Sequence, residues 1–88
     1  MKIELNTQAR EQRVLNQYND AMEKIASHAE NGIDLTELIF PNDMFDEVRA
    51  KITSHMRAFD VKFVWESIGN MGSISVSGGR LMRFKLLS

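Results

Sequence analysis

At 88 residues the chain has room for one domain and no more. Its apolar fraction of 43% is too high for a disordered chain. No apolar run approaches the ~18 residues that span a bilayer, and the lack of any cysteine excludes disulfides and thiolate chemistry.

The net charge of −1 hides an asymmetry. Residues 1–47 carry four basic and ten acidic side chains, whereas residues 48–88 carry seven and two. Such a split marks a binding face, or two halves that neutralise each other on folding.

Met1 to Leu5 alternates, with Met1, Ile3 and Leu5 on one side, and is expected to add a short fourth strand to a sheet. It has neither the apolar core nor the cleavage site of a signal peptide, so a cytoplasmic setting is expected. Asn6 or Thr7 caps a helix whose stripe is Val14, Tyr18, Ala21, Ile25 and Ala29, widened by Leu15, Met22 and Ala26. Asn31-Gly32 ends it, with Gly32 suited to the left-handed position.

Ile33 to Phe40 has two readings. Asp34 to Glu37 fits a capping box for one or two helical turns, with Leu35, Leu38, Ile39 and Phe40 mostly buried. A short strand competes. Pro41 then breaks the chain. Asn42 or Asp43 is expected to cap a second helix, with Phe45, Val48, Ile52, Met56 and Phe59 as its buried stripe.

The last third reads as three short strands. Val61, Phe63 and Trp65 alternate with Lys62, Val64 and Glu66. Ser73 to Ser77 repeats the pattern, and Met82, Phe84 and Leu86 oppose Leu81, Arg83 and Lys85. Trp65 is expected to pack on Val48, Ile52 and Met56. Gly78-Gly79 signals a hairpin. An odd-length loop, with one of these glycines at positive φ, would set Ile74 and Val76 on the face of Met82 and Phe84. The predicted fold is a two-layer α+β domain over residues 1–88. In it two main helices and a short helical turn pack on a three-stranded antiparallel meander, joined by the N-terminal strand.

No motif for catalysis, metal or nucleotide emerges, and no cofactor is expected. His28 and His55 lie on different helices, outside any paired-ligand spacing. Ser73, Ser75 and Ser77 are outward strand positions rather than a nucleophile elbow. Met71, with Ile68, is an apolar turn residue that either contacts a partner or folds over Trp65.

The outward sheet face is the candidate binding surface: Lys62, Arg83, Lys85, Ser73 and Ser75, with Met71 at its edge. Mixed cationic and apolar surface suits an acidic protein partner. The expectation is a small non-enzymatic binding protein, acting as inhibitor, adaptor or assembly subunit, in the style of a phage or mobile-element accessory protein. The alternative is a nucleic-acid module, because helix, short helix, helix and hairpin resembles the layout of a winged helix-turn-helix. On that resemblance Asp43 to Phe59 is the recognition helix and Ser77 to Leu81 the wing. The acidic first turn of that helix and an isoelectric point near 6.1 weigh against it.

Overall fold

A computed structural model describes residues 1–66, 74–76 and 79–87. Helix α1 (Thr7–Glu30) is followed by strand β1 (Leu35–Phe40), a 3₁₀ turn at Asn42–Met44 and helix α2 (Phe45–Ala58). Strands β2 (Phe63–Glu66), β3 (Ile74–Val76) and β4 (Gly79–Leu86) complete the chain. This is a small α+β domain with two helices on an antiparallel sheet.

The sheet is three strands wide. β4 lies in the middle, with β1 on one side. β2 and β3 both pair on the other side, β2 with Arg83 to Leu86 and β3 with Gly79 to Leu81. The expected meander is therefore modified: β2 and β3 share one edge of β4 end to end and do not pair with each other.

Both helices follow their apolar spacing. In α1, Val14, Ala21 and Ile25 are buried, while Leu15, Ala26 and Ala29 stay exposed. The Asn6 side chain accepts the Ala9 amide at 3.0 Å, which caps the helix start. In α2, Phe45, Val48, Ile52 and Met56 are buried. Phe59, expected in that stripe, is exposed because the helix has ended at Ala58. Its ring lies 4.8 Å from that of His55 instead. Neither Asn42 nor Asp43 caps α2 through its side chain.

Both helices close with the same paired bonds. Gly32 donates to Ala29 and Ile33 to His28; Asp60 donates to Arg57 and Val61 to Met56. Gly32 takes φ 77° in the first of these turns, and Asp60 takes φ 55° in the second. A side chain at positive φ costs roughly 1 kcal/mol. Asp60→Gly is therefore expected to stabilise the fold by about 0.5–1 kcal/mol, read as a higher urea midpoint at unchanged slope.

The segment at 35–40 is a strand, not a helical turn. Thr36, Leu38 and Phe40 are buried, whereas Glu37 and Ile39 are exposed, Ile39 by 55%. The local capping signal loses because β4 offers a full ladder, and Thr, Ile and Phe suit a pleated surface. The Asp34 carbonyl accepts the Leu86 amide rather than turning into a helix. Met1 to Leu5 is exposed and, among the described residues, pairs with no strand, so the expected N-terminal fourth strand is not seen there.

The hairpin register is also a correction. Val76 pairs with Gly79 and Ile74 with Leu81, so the register leaves two residues between the strands where an odd number is expected. Gly79 is a strand residue without positive φ; Gly78 lies outside the described residues. The reason is steric. A Cβ on Gly79 would lie 2.3 Å from the Phe40 carbonyl oxygen, so only glycine fits in the ladder there.

The core lies between the helices and one sheet face. Phe40, Phe84, Met82, Val48, Ile52 and Met44 are its most buried members. Trp65 packs at its margin. Its indole N–H donates to Thr53 Oγ1 at 3.0 Å, and the Arg49 guanidinium lies 5.6 Å from its ring. Trp65 thus meets α2 along the Arg49–Thr53 flank rather than only along the Val48–Ile52–Met56 stripe.

Candidate binding surface

Directly paired residues share a sheet face, so the register sets out the uncovered side in rows. One row is Leu35–Lys85–Val64, and the next is Glu37–Arg83–Glu66. Beyond it Ile39 pairs with Leu81. Lys62 stands opposite Leu87, whose amide it accepts through its carbonyl at 2.9 Å. The helices cover the other face, since Thr36, Leu38, Phe40, Met82 and Phe84 point to the core.

Lys62, Arg83 and Lys85 therefore do share the outer face, as alternation predicts. Ser75 pairs with Arg80, a position in step with Met82 and Phe84 rather than with Arg83 and Lys85. The two-residue loop causes this shift. Ser73 and Met71 lie outside the described residues.

The face is less cationic than its sequence implies. Arg83 Nε donates to Glu37 Oε1 at 3.2 Å, and Glu66 stands directly across from Arg83. Glu37 thus holds the central guanidinium, and Glu66 occupies the paired position on the other neighbouring strand. Apolar side chains border this row: Ile39 and Leu81 on one side, Leu35 and Val64 on the other, with Val64 43% exposed and Leu87 near the end. Among the described residues, Lys62 and Lys85 form the positive corner of this face. Glu37 was not legible as part of this face because its segment had two readings, helical turn or short strand, and only the strand brings it there.

The remaining charges are partly structural. Arg10 on α1 donates to both Glu47 carboxylate oxygens, one at 2.7 Å, and to the Asp43 carbonyl at 2.6 Å. Arg13 reaches Asp43 at 3.3 Å. These ties pin the start of α1 to the start of α2 and use the acidic first turn internally. The bond from Arg10 holds the Glu47 carboxyl below its ordinary value of 4.5 and raises Arg10 in turn. A carboxyl depressed in the folded state adds stability above its unfolded value and loses it as pH falls through the folded value. Glu47→Gln is expected to flatten the acid limb of the stability profile below about pH 4.5 and to leave its slope near neutrality unchanged. Urea melts at stepped pH read both. An unchanged acid limb would remove Glu47 from this role.

The histidines are ties as well. Tyr18 Oη and His55 Nδ1 are 2.9 Å apart, bridging the helices. His28 Nδ1 lies 3.0 Å from the hydroxyl of Thr36, the one buried polar side chain of β1. Among the described residues, no three His, Asp or Glu side chains gather to hold a metal ion, and no helix is long and apolar enough to cross a membrane.

A concavity of about 570 Å³ lies between α2 and β2, lined by Arg49, Thr53 and Arg57 on the helix and by Phe63, Val64 and Trp65 on the strand. Among the described residues neither Arg49 nor Arg57 has a carboxylate partner. Among the described residues, only Arg83–Glu37 of the ion pairs between elements joins the acidic half to the basic half, so this part of the fold does not spend the charge asymmetry internally. The chain matches no protein-family model, no curated protein and no solved structure.

Proposed function

We propose that the protein acts by binding another protein through the uncovered face of its sheet, without catalysis of its own and in a cytosolic setting. The observation that carries this reading is the Glu37–Arg83–Glu66 row with apolar neighbours on both sides. A nucleic-acid surface needs cations free to meet phosphates. Here the central arginine is neutralised, and its carboxylates would repel a phosphate backbone. Apolar side chains on both sides of a charge-paired row instead suit contact with a protein. The partner's acidic group would sit at the Lys62–Lys85 corner.

Ile39→Asp combined with Val64→Asp tests this. Exposed substitutions usually move stability by about ±0.5 kcal/mol each, so the fold should persist. The immobilised wild-type chain is expected to retain a protein partner that nuclease treatment does not release, and the double variant is expected to lose it. Retention by both chains, or material that is nucleic acid with steep salt dependence, would overturn the reading.

A further inference from the structure

Two features remain unused by the fold and by the outer-face reading: an exposed arm with strand alternation, and an open strand edge beside a groove. We propose that the arm Met1–Leu5 of a second copy of this chain adds as an antiparallel strand to the outer edge of β2, seating Met1, Ile3 and Leu5 in the groove beneath α2.

The arm is the most exposed apolar segment described, with Met1, Ile3 and Leu5 at 113%, 87% and 73%. Lys2 and Glu4 meet each other at 2.9 Å, as neighbours on one side of an extended chain do. The segment is built like a strand and lies on no sheet of its own molecule.

The sheet has two outer edges, and they differ. On β1, Asp34 bonds to β4, so by alternation Leu35, Glu37 and Ile39 aim their backbone groups outward. Lys24 of α1 already covers that edge, donating to the Glu37 carbonyl at 2.7 Å. On β2, Lys62 bonds to β4, so Phe63 and Trp65 aim their N–H and C=O groups outward. Among the described residues nothing pairs with them. Beside them lies the groove, which Phe63, Val64 and Trp65 line from the strand side.

Charge sets the direction. The outer-face side chains of this strand run Lys62, Val64, Glu66, and those of the arm run Lys2, Glu4. Antiparallel addition brings Lys2 to Glu66 and Glu4 toward Lys62, whereas parallel addition sets like charges together. The apolar side chains of the arm then face Phe63, Trp65 and the Arg49 and Arg57 stems, all of which line the groove.

The same arm does not serve its own chain. Glu47 and His55 of α2 face α1, while Arg49 and Thr53 face β2, so the groove is on the far flank of α2. Five extended residues reach about 17 Å, and a helix is about 10 Å across. Crossing α2 uses most of that reach, leaving too little to pair along β2. In a neighbouring copy the whole arm is free to pair.

The cysteine-free chain allows a direct test. Glu4→Cys and Val64→Cys variants, each on a separate chain, are mixed in equal amounts and oxidised. Sedimentation of the unmodified chain is measured beside a chain lacking residues 1–5. The expected result is a disulfide heterodimer in large excess over either homodimer, an unmodified chain of twice the monomer mass, and a monomeric truncated chain with unchanged helix content. A statistical mixture of disulfides, a monomeric unmodified chain, or a truncated chain that still dimerises would each overturn the proposal. So would a chain carrying both cysteines that closes an internal disulfide at high dilution.

Discussion

Phe84→Ala is expected to destabilise the domain by about 3–5 kcal/mol, the range for removing a buried aromatic ring. Phe84 is fully buried, on the central strand, in the row Thr36–Phe84–Trp65. Its ring stacks on Phe63 at 5.3 Å and 16° and meets Trp65 edge-on at 5.3 Å and 74°. Removal opens a cavity that neighbours on both flanking strands border. Domains of this size are stable by roughly 0.05–0.15 kcal/mol per residue, so this one change removes a large part of the total. Val64→Ala, on the exposed outer face of the neighbouring strand, is expected to cost well under half as much. Urea melts of the two variants compare them directly, and equal losses would reverse the face assignment.

Gly79→Ala carries the second large effect, about 3 kcal/mol, at the upper end for overpacking. The added Cβ would meet the Phe40 oxygen at 2.3 Å and its carbonyl carbon at 2.9 Å. Those are backbone atoms in a ladder, unable to rotate away. β1 must move off β4 at the Phe40–Arg80 pair, which also disturbs the Phe40 ring against Phe45 and Trp65. For a domain of this size each kcal/mol lowers the melting midpoint by about 4–8 °C. An unchanged midpoint for the alanine variant would show that β1 does not approach as closely as described.

These two residues also show what a single sequence can and cannot convey. Phe84 was legible because strand alternation is a local pattern. So were Val14, Ala21 and Ile25 of the α1 stripe, its Asn6 cap and the Gly32 turn, all set by neighbours within a few positions, whereas Leu15, Ala26 and Ala29 of that stripe are exposed. Gly79 was misread because its constraint comes from Phe40, on a strand far away in sequence. The same distance left β1 with two readings, helical turn or short strand, and only the ladder with β4 decides for the strand. That ambiguity carried into the surface. Lys62, Arg83 and Lys85 were placed on one face by alternation alone, but the neutralising Glu37 arrives with β1. Ser75 left that face with the loop length. The Arg10–Glu47 tie spans the two helices and has no local signature at all.

The central claim is that the helices cover one sheet face and leave the other open. Methyl NMR with a soluble paramagnetic agent tests it most directly, because relaxation enhancement reports access from solvent without needing a partner. The methyls of Ile39, Val64 and Leu87 should be strongly broadened, while those of Val48, Ile52 and Met82 should be spared. Protection of Ile39 and Val64 equal to that of Ile52, at a dilution where the chain is monomeric, would mean that the outer face is already covered and would contradict the account.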